Sequence, residues 1–278
     1  MPFCQQLTNS GDSYLGRQWI DSHCHFNFDL FDSDREAHWQ FLQRWGCAGL
    51  LIPGVVAKDW QSLVSLCANK PWAYALGLHP YFMDQHREGD VAHLKRLCKV
   101  SNPVAIGEFG LDFALAEDTF SKQIELCEQQ FILAKELKLP VILHARKSYD
   151  EIAAIVRRLG FHQGGVVHAF SGSLQQGQAL IKLGFLLGIG GAISHARALK
   201  LRKTLAQLPL DSLVLETDSP DMRPAFWSES RNSPVSLLLL AQIVAAIKQC
   251  TLDEVILSSN NSLLTLMPKV KETITRSI

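Results

Sequence analysis

Eight short, apolar, β-rich runs recur along the chain: Trp19–His25, Cys47–Val56, Ala73–Pro80, Pro103–Asp112, Pro140–Lys147, Gly164–Ser171, Phe185–Ala192 and Leu213–Pro220. They start 21 to 37 residues apart, and segments of helical periodicity separate them. In the clearest of these, Thr119–Leu139, Phe120, Ile124, Cys127, Phe131 and Ala134 fall at i, i+4, i+7, i+11 and i+14, the mark of a helix with one buried face. Several runs are apolar on consecutive residues, as in Leu50–Ile52 and Val141–Leu143. That pattern belongs to strands buried on both faces, and so to a parallel sheet covered by helices. Eight strand–helix units in about 250 residues are the dimensions of a (β/α)8 barrel. A doubly wound open sheet is the alternative, but the glycine-rich phosphate turn it carries after its first strand is replaced here by Asp21-Ser22-His23-Cys24-His25. The expected architecture is an α/β chain folded as a single TIM-type barrel domain over 19–268. Residues 1–18 read as an N-terminal extension, Leu252–Met267 as a closing helix and 269–278 as a C-terminal tail.

Composition narrows the classes of function. Of 278 residues, 47% are apolar and 19% charged, enough to bury a full core. Lysine plus arginine (27) equals aspartate plus glutamate (27), which excludes a globally basic nucleic-acid coat, an acidic tail protein and a polybasic membrane binder. An anionic partner must be held locally. No stretch approaches the ~18 apolar residues that span a bilayer, and the first 18 residues lack a basic segment followed by an apolar one. Seven scattered cysteines without a CxxC pair argue against a disulfide framework or a cysteine zinc site. The expectation is a reduced, cytoplasmic, globular protein with no membrane partner.

Barrels of this kind place their chemistry at the C-terminal ends of the strands. There the sequence offers His23 and His25 after strand 1, His79 after strand 3, Glu108 on strand 4, His144 on strand 5, His168 on strand 6 and Asp218 on strand 8. Alternation along a strand turns His23 and His25 to one side. Any one of these could be a structural residue, and His38, His86, His93 and His162 read as surface or capping histidines. His195 admits either reading. Taken together, however, buried carboxylates and imidazoles without partners would cost several kcal/mol each, and a metal removes much of that cost. Six ligands exceed one tetrahedral site. Two divalent ions fit if Glu108 bridges them, one held by His23, His25, Glu108 and Asp218 and the other by Glu108, His144 and His168.

The blocks IDSHCHF, GLHP, AIGEFGLDF, PVILHARKS, VVHAFSGS and LETDSP occur in this order between residues 20 and 220. With them the sequence resembles the TatD family of metal-dependent deoxyribonucleases, within the amidohydrolase-like barrels. The resemblance implies two divalent cations, hydrolysis of DNA phosphodiesters, often from a 3′ end, and the ligand set His23, His25, Glu108, His144, His168 and Asp218. After GLHP the family often has another histidine where this chain has Tyr81. After its TDSP-like block it often has an aromatic residue where Asp221-Met222-Arg223 stand. Both places fall on loops over the site, so the departures bear on substrate rather than on metal.

Asp218 is the candidate general base, a carboxylate able to bind an ion and accept a proton from water, and Glu108 shares the catalytic centre as bridge. Glu216 either touches the site or pairs with a buried cation. His79 and Arg146 are candidate phosphate contacts. An imidazole-rich set favours zinc or manganese, whereas nucleases of the resembling family are described as magnesium-dependent, so Mg, Mn and Zn all stand. A small-molecule amidohydrolase, lactonase or phosphotriesterase on the same barrel is the second reading, weakened because Glu108 stands where several of those enzymes bridge their ions with a carboxylated lysine. A binding module without catalysis is the third. For an anionic strand the chain offers only local basic clusters, such as Arg197, Lys200, Arg202 and Lys203 after strand 7 or Arg223 and Arg231 after strand 8. Capture of a DNA strand end therefore fits better than tracking along a duplex.

Overall fold

A computed structural model describes residues 17–276. Its strands are β1 (Trp19–Asp21), β2 (Cys47–Gly54), β3 (Trp72–Leu76), β4 (Ala105–Asp112), β5 (Val141–Arg146), β6 (Gly165–Val167), β7 (Phe185–Ile189) and β8 (Leu213–Leu215). They lie in chain order in one sheet, each parallel to the next. The Ser22 amide donates to the Leu215 carbonyl at 3.0 Å and the Asp218 amide to the His23 carbonyl at 2.9 Å, so β8 returns to β1 and the barrel closes. Around it run α1 (Arg35–Arg44), α2 (Trp60–Cys67), α3 (Asp90–Ser101), α4 (Phe120–Leu137), α5 (Tyr149–Leu159), α6 (Leu174–Lys182), α7 (Leu199–Gln207), α8 (Leu237–Lys248), α9 (Leu252–Leu266) and α10 (Pro268–Arg276).

The consecutive apolar residues of the strands divide between two cores. Leu50 and Ile52 point outward into the layer beneath the helices, while Leu51 points inward with Ile20, Ala73, Ala105, Ile142, Val166 and Val214. This inner plug continues into Met267, Val270 and Ile274. Residues 269–276, assigned to a tail from the sequence, therefore belong to a helix that stoppers the N-terminal end of the barrel. Val270 and Ile274 recur at i, i+4 and are buried, and a run this short and polar does not announce that face by itself. The N-terminal extension lies outside the described residues except for 17 and 18.

Helix α4 does more than its periodicity foretold. Its buried face carries Gln123 and Gln130 among the apolar residues. Gln130 accepts from the Leu78 amide at 2.8 Å and donates to the Leu78 carbonyl at 3.2 Å. Gln123 does the same for Asp112, at 2.8 and 3.2 Å. Two buried amides thus fix the backbone just before His79 and at the end of β4, satisfying strand-end groups that water cannot reach.

A candidate metal centre at the C-terminal end of the barrel

Glu108 is the hub of the site. Its Oε2 lies 3.1 Å from His23 Nε2 and 3.5 Å from His25 Nε2. Its Oε1 lies 2.8 Å from His168 Nε2, 3.1 Å from His79 Nε2 and 3.4 Å from His144 Nδ1. Asp218 Oδ1 stands 3.4 Å from the Nε2 atoms of both His23 and His25. His144 Nδ1 and His168 Nε2 face each other at 3.1 Å. The sequence-predicted residues are thus brought together, with His23 buried beneath and the others lining a cavity of about 640 Å³. Arg146 lines it at the rim, 65% exposed and 3.9 Å from Asp112.

His23 and His25 converge for a reason other than strand alternation, because β1 ends at Asp21. The segment beyond it is held between its neighbours: the Cys24 amide donates to Leu51 O at 3.1 Å and the His25 amide to Ser219 O at 2.7 Å. Buried Asp21 ties the same segment to the end of β8. It accepts from the His23 amide, the Thr217 amide and the Thr217 hydroxyl at 3.2, 3.1 and 2.6 Å. Asp218 itself sits at φ 54°, in the left-handed region that non-glycine residues seldom adopt, a conformation the surrounding structure must enforce. At Gly110, φ 147°, a Cβ would fall on the His144 carbonyl oxygen. Only glycine lets β4 approach β5 closely enough to bring Glu108 beside His144.

The electrostatics follow from burial opposed by charge. Burial works against ionisation of Glu108, yet His168, His79 and His23 around it hold its pKa well below the usual carboxylate range. The same contest at Asp218 is won by the His23 and His25 imidazoles, each 3.4 Å from its Oδ1. Burial disfavours charge on His25 and His144, but the first is pulled up to about 9 by Asp218 and Glu108, and the second to about 9 by Asp112 and Glu108. His79 goes the other way, pushed by burial down to about 4, so it is neutral at pH 7. Its Nδ1 accepts the Tyr81 amide at 3.0 Å, which places the ring's one proton on Nε2, facing Glu108. His79 is therefore a donor aimed into the centre, although its distances alone would also suit a ligand.

The donors fit divalent cations. His23 Nε2, both Glu108 oxygens and Asp218 Oδ1 are buried with no well-formed hydrogen bond. Three groups of side chains, His23–His25–Asp218, His23–Glu108–His168 and His79–Glu108–His144, have atoms close enough to share an ion. Imidazole and carboxylate lone pairs converging in a buried space repel one another unless a cation lies between them.

Sequence reasoning passed over Asp112. Its Oδ2 lies 3.1 Å from His144 Nε2 and so leaves Nδ1 as the lone pair turned to Glu108. Four residues after Glu108 on the same strand, it was within reach of the alternation rule. Glu216 touches the site from behind: its Oε1 accepts the Ala169 amide at 2.5 Å and lies 3.8 Å from His168 Nδ1. Burial raises its pKa to about 8. His195 stays outside the cavity lining. Its carbonyl, with those of Ile193 and Ser194, accepts from Arg202, so one member of the first basic cluster is spent on backbone. Arg231 is likewise occupied, by Asp34 and the Leu30 carbonyl.

A closed β/α barrel with buried histidines and carboxylates at the C-terminal end of its strands defines a metal-dependent hydrolase. A family model described as TatD related DNase matches residues 20–266. The chain is 36% identical over 252 residues to an uncharacterized metal-dependent hydrolase, YjjV, of Escherichia coli (strain K12), covering 90% of this chain and 97% of that one. It is 36% identical over 228 residues to the 3′-5′ ssDNA/RNA exonuclease TatD of Erwinia billingiae (strain Eb661), covering 78% and 87%. The crystal structure of YjjV, a TatD homolog from E. coli K12, superposes with a TM-score of 0.86 at 37% identity, covering 90% of this chain and 98% of that one. The chain belongs to the TatD family.

Proposed function

We propose that this TatD-family hydrolase is a deoxyribonuclease that cleaves phosphodiesters from a strand end with the help of two divalent cations. The observation that carries the reading is the division of Glu108: one oxygen faces His23 and His25, the other His144 and His168. His23, His25, Asp218 and Glu108 would hold one cation, and Glu108, His144 and His168 the other. When bound, two such cations polarise phosphoryl oxygens and lower the pKa of water at the site. Asp218, kept ionised by its histidine neighbours, accepts the proton of the attacking water on its second carboxylate oxygen. His79 offers its Nε2–H as a hydrogen-bond donor to a phosphate oxygen, and Arg146 offers its guanidinium at the rim. The cavity, about 640 Å³, has room for one nucleotide. Relatives named as exonucleases support nucleic acid as substrate.

Titration of stripped protein with Mg, Mn or Zn should reach two equivalents. Glu108→Ala should lower both, and His144→Ala should mainly empty one. End-labelled linear DNA should be trimmed from a terminus, closed circles should resist, and Asp218→Asn should abolish turnover in a folded protein. A single equivalent at saturation overturns the dinuclear reading, and cleavage of small esters or lactones but not DNA overturns the nuclease reading.

A further inference from the structure

The mouth of the cavity is poor in positive charge and rich in apolar surface. Its lining includes Phe28, Val55, Tyr81, Phe82 and Met222, against a single guanidinium, that of Arg146. Asp221 lines it too, while Asp112 is buried against His144, so Arg146 is the one lysine or arginine side chain in this lining to meet phosphates beyond the scissile one. Affinity for a polynucleotide end beyond its scissile phosphate then falls to its bases, which aromatic side chains hold by stacking.

Tyr81 is placed for that task. It is 64% exposed, an unusual state for an aromatic side chain beside a buried polar centre. Its backbone is nevertheless fixed: the Tyr81 amide donates to His79 Nδ1 at 3.0 Å and the Phe82 amide to the His79 carbonyl at 3.1 Å, while His86 Nε2 lies 2.8 Å from the same carbonyl. Phe82 meets the Tyr81 ring edge to face, with centroids 5.3 Å apart. His79, whose other nitrogen faces Glu108, thereby sets the distance from the aromatic pair to the reacting centre. Met222, from the loop after β8, also lines the cavity and is 36% exposed.

Building on the nuclease reading, we propose that Tyr81, backed by Phe82, stacks the unpaired nucleobase at the end of a single strand. A paired terminus already has its base stacked in the duplex and gains less, in keeping with relatives named as ssDNA/RNA exonucleases.

The test uses metal-loaded protein and an oligonucleotide carrying 2-aminopurine as its terminal base. With Asp218→Asn protein the probe should be quenched on binding, and adding Tyr81→Ala should weaken that binding about ten-fold. In turnover by the otherwise wild-type enzyme, Tyr81→Ala should raise KM about ten-fold with kcat changed less than two-fold. Tyr81→Phe should restore KM, and an abasic terminus should narrow the gap between wild type and Tyr81→Ala. DNA turnover with an unmoved KM, or quenching that survives Tyr81→Ala, overturns the stacking role and leaves the nuclease reading standing. No hydrolysis of any nucleic acid with any of the three metals overturns both.

Discussion

At His144 the two ring nitrogens have separate duties. Nε2 is held by Asp112 at 3.1 Å and Nδ1 turns to Glu108 and His168. A carboxylate behind a ligand histidine fixes its tautomer and orientation and raises its basicity. Asp112→Ala should therefore weaken metal binding at the His144–His168 side about 10- to 100-fold, while the His23–His25–Asp218 side keeps its affinity. Two-phase metal titration followed by calorimetry checks this, and equal weakening of both phases would contradict it. At this scale the sequence was informative about which residues assemble and silent about which atom of each faces the centre. Ring orientation is set by second partners, such as the Tyr81 amide on His79, that come from tertiary neighbours or local turns.

Among the elements, α1 and the segment after β8 are joined through His38. Its Nε2 lies 2.7 Å from the Ser233 hydroxyl, and its ring packs among Phe26, Phe31 and Phe41. Burial, helped by the nearby Arg231 charge, lowers its pKa from 6.5 to about 4. Above about pH 6.5 the ring is neutral in both the folded and unfolded chains, and stability is full. As pH falls from there towards 4 the unfolded chain takes up a proton that the folded one refuses, so stability declines. Between about pH 7.5 and pH 5 the loss should be about 2 kcal/mol. Urea unfolding of metal-stripped protein should show it, and His38→Gln should remove that part of the slope. An identical slope in the variant would refute the assignment. His38, expected from the sequence at the surface or as a cap, is instead half-buried, because Ser233, Phe26 and Phe31 reach it from other segments. The same limit applied to α4, whose periodicity was plain while the backbone groups met by Gln123 and Gln130 were not.

For the whole molecule, the barrel and its metal centre are stabilised by different means. The two apolar cores do not depend on an ion, whereas the converging carboxylates and imidazoles would gain from one. An ion at about a thousand times its Kd adds about 4 kcal/mol, which for a chain of this size moves Tm by on the order of 10 °C. Chelation should lower Tm by about that amount without abolishing the cooperative transition, and re-addition should restore it. A Tm indifferent to chelator would argue that the site holds no stabilising ion. The barrel was legible in the chain because eight β-rich runs alternate with helical segments, and several of those runs are apolar on consecutive residues, as parallel strands buried on both faces must be. The metal-site candidates were legible because only strand ends of such a barrel tolerate so many polar groups. The tertiary structure alone decided that 268–276 closes the bottom of the barrel, that Asp112 backs His144, and that the Tyr81 amide turns Nε2 of His79 towards Glu108. Local periodicity reports which face of a segment is buried; what that face meets depends on contacts between residues far apart in sequence.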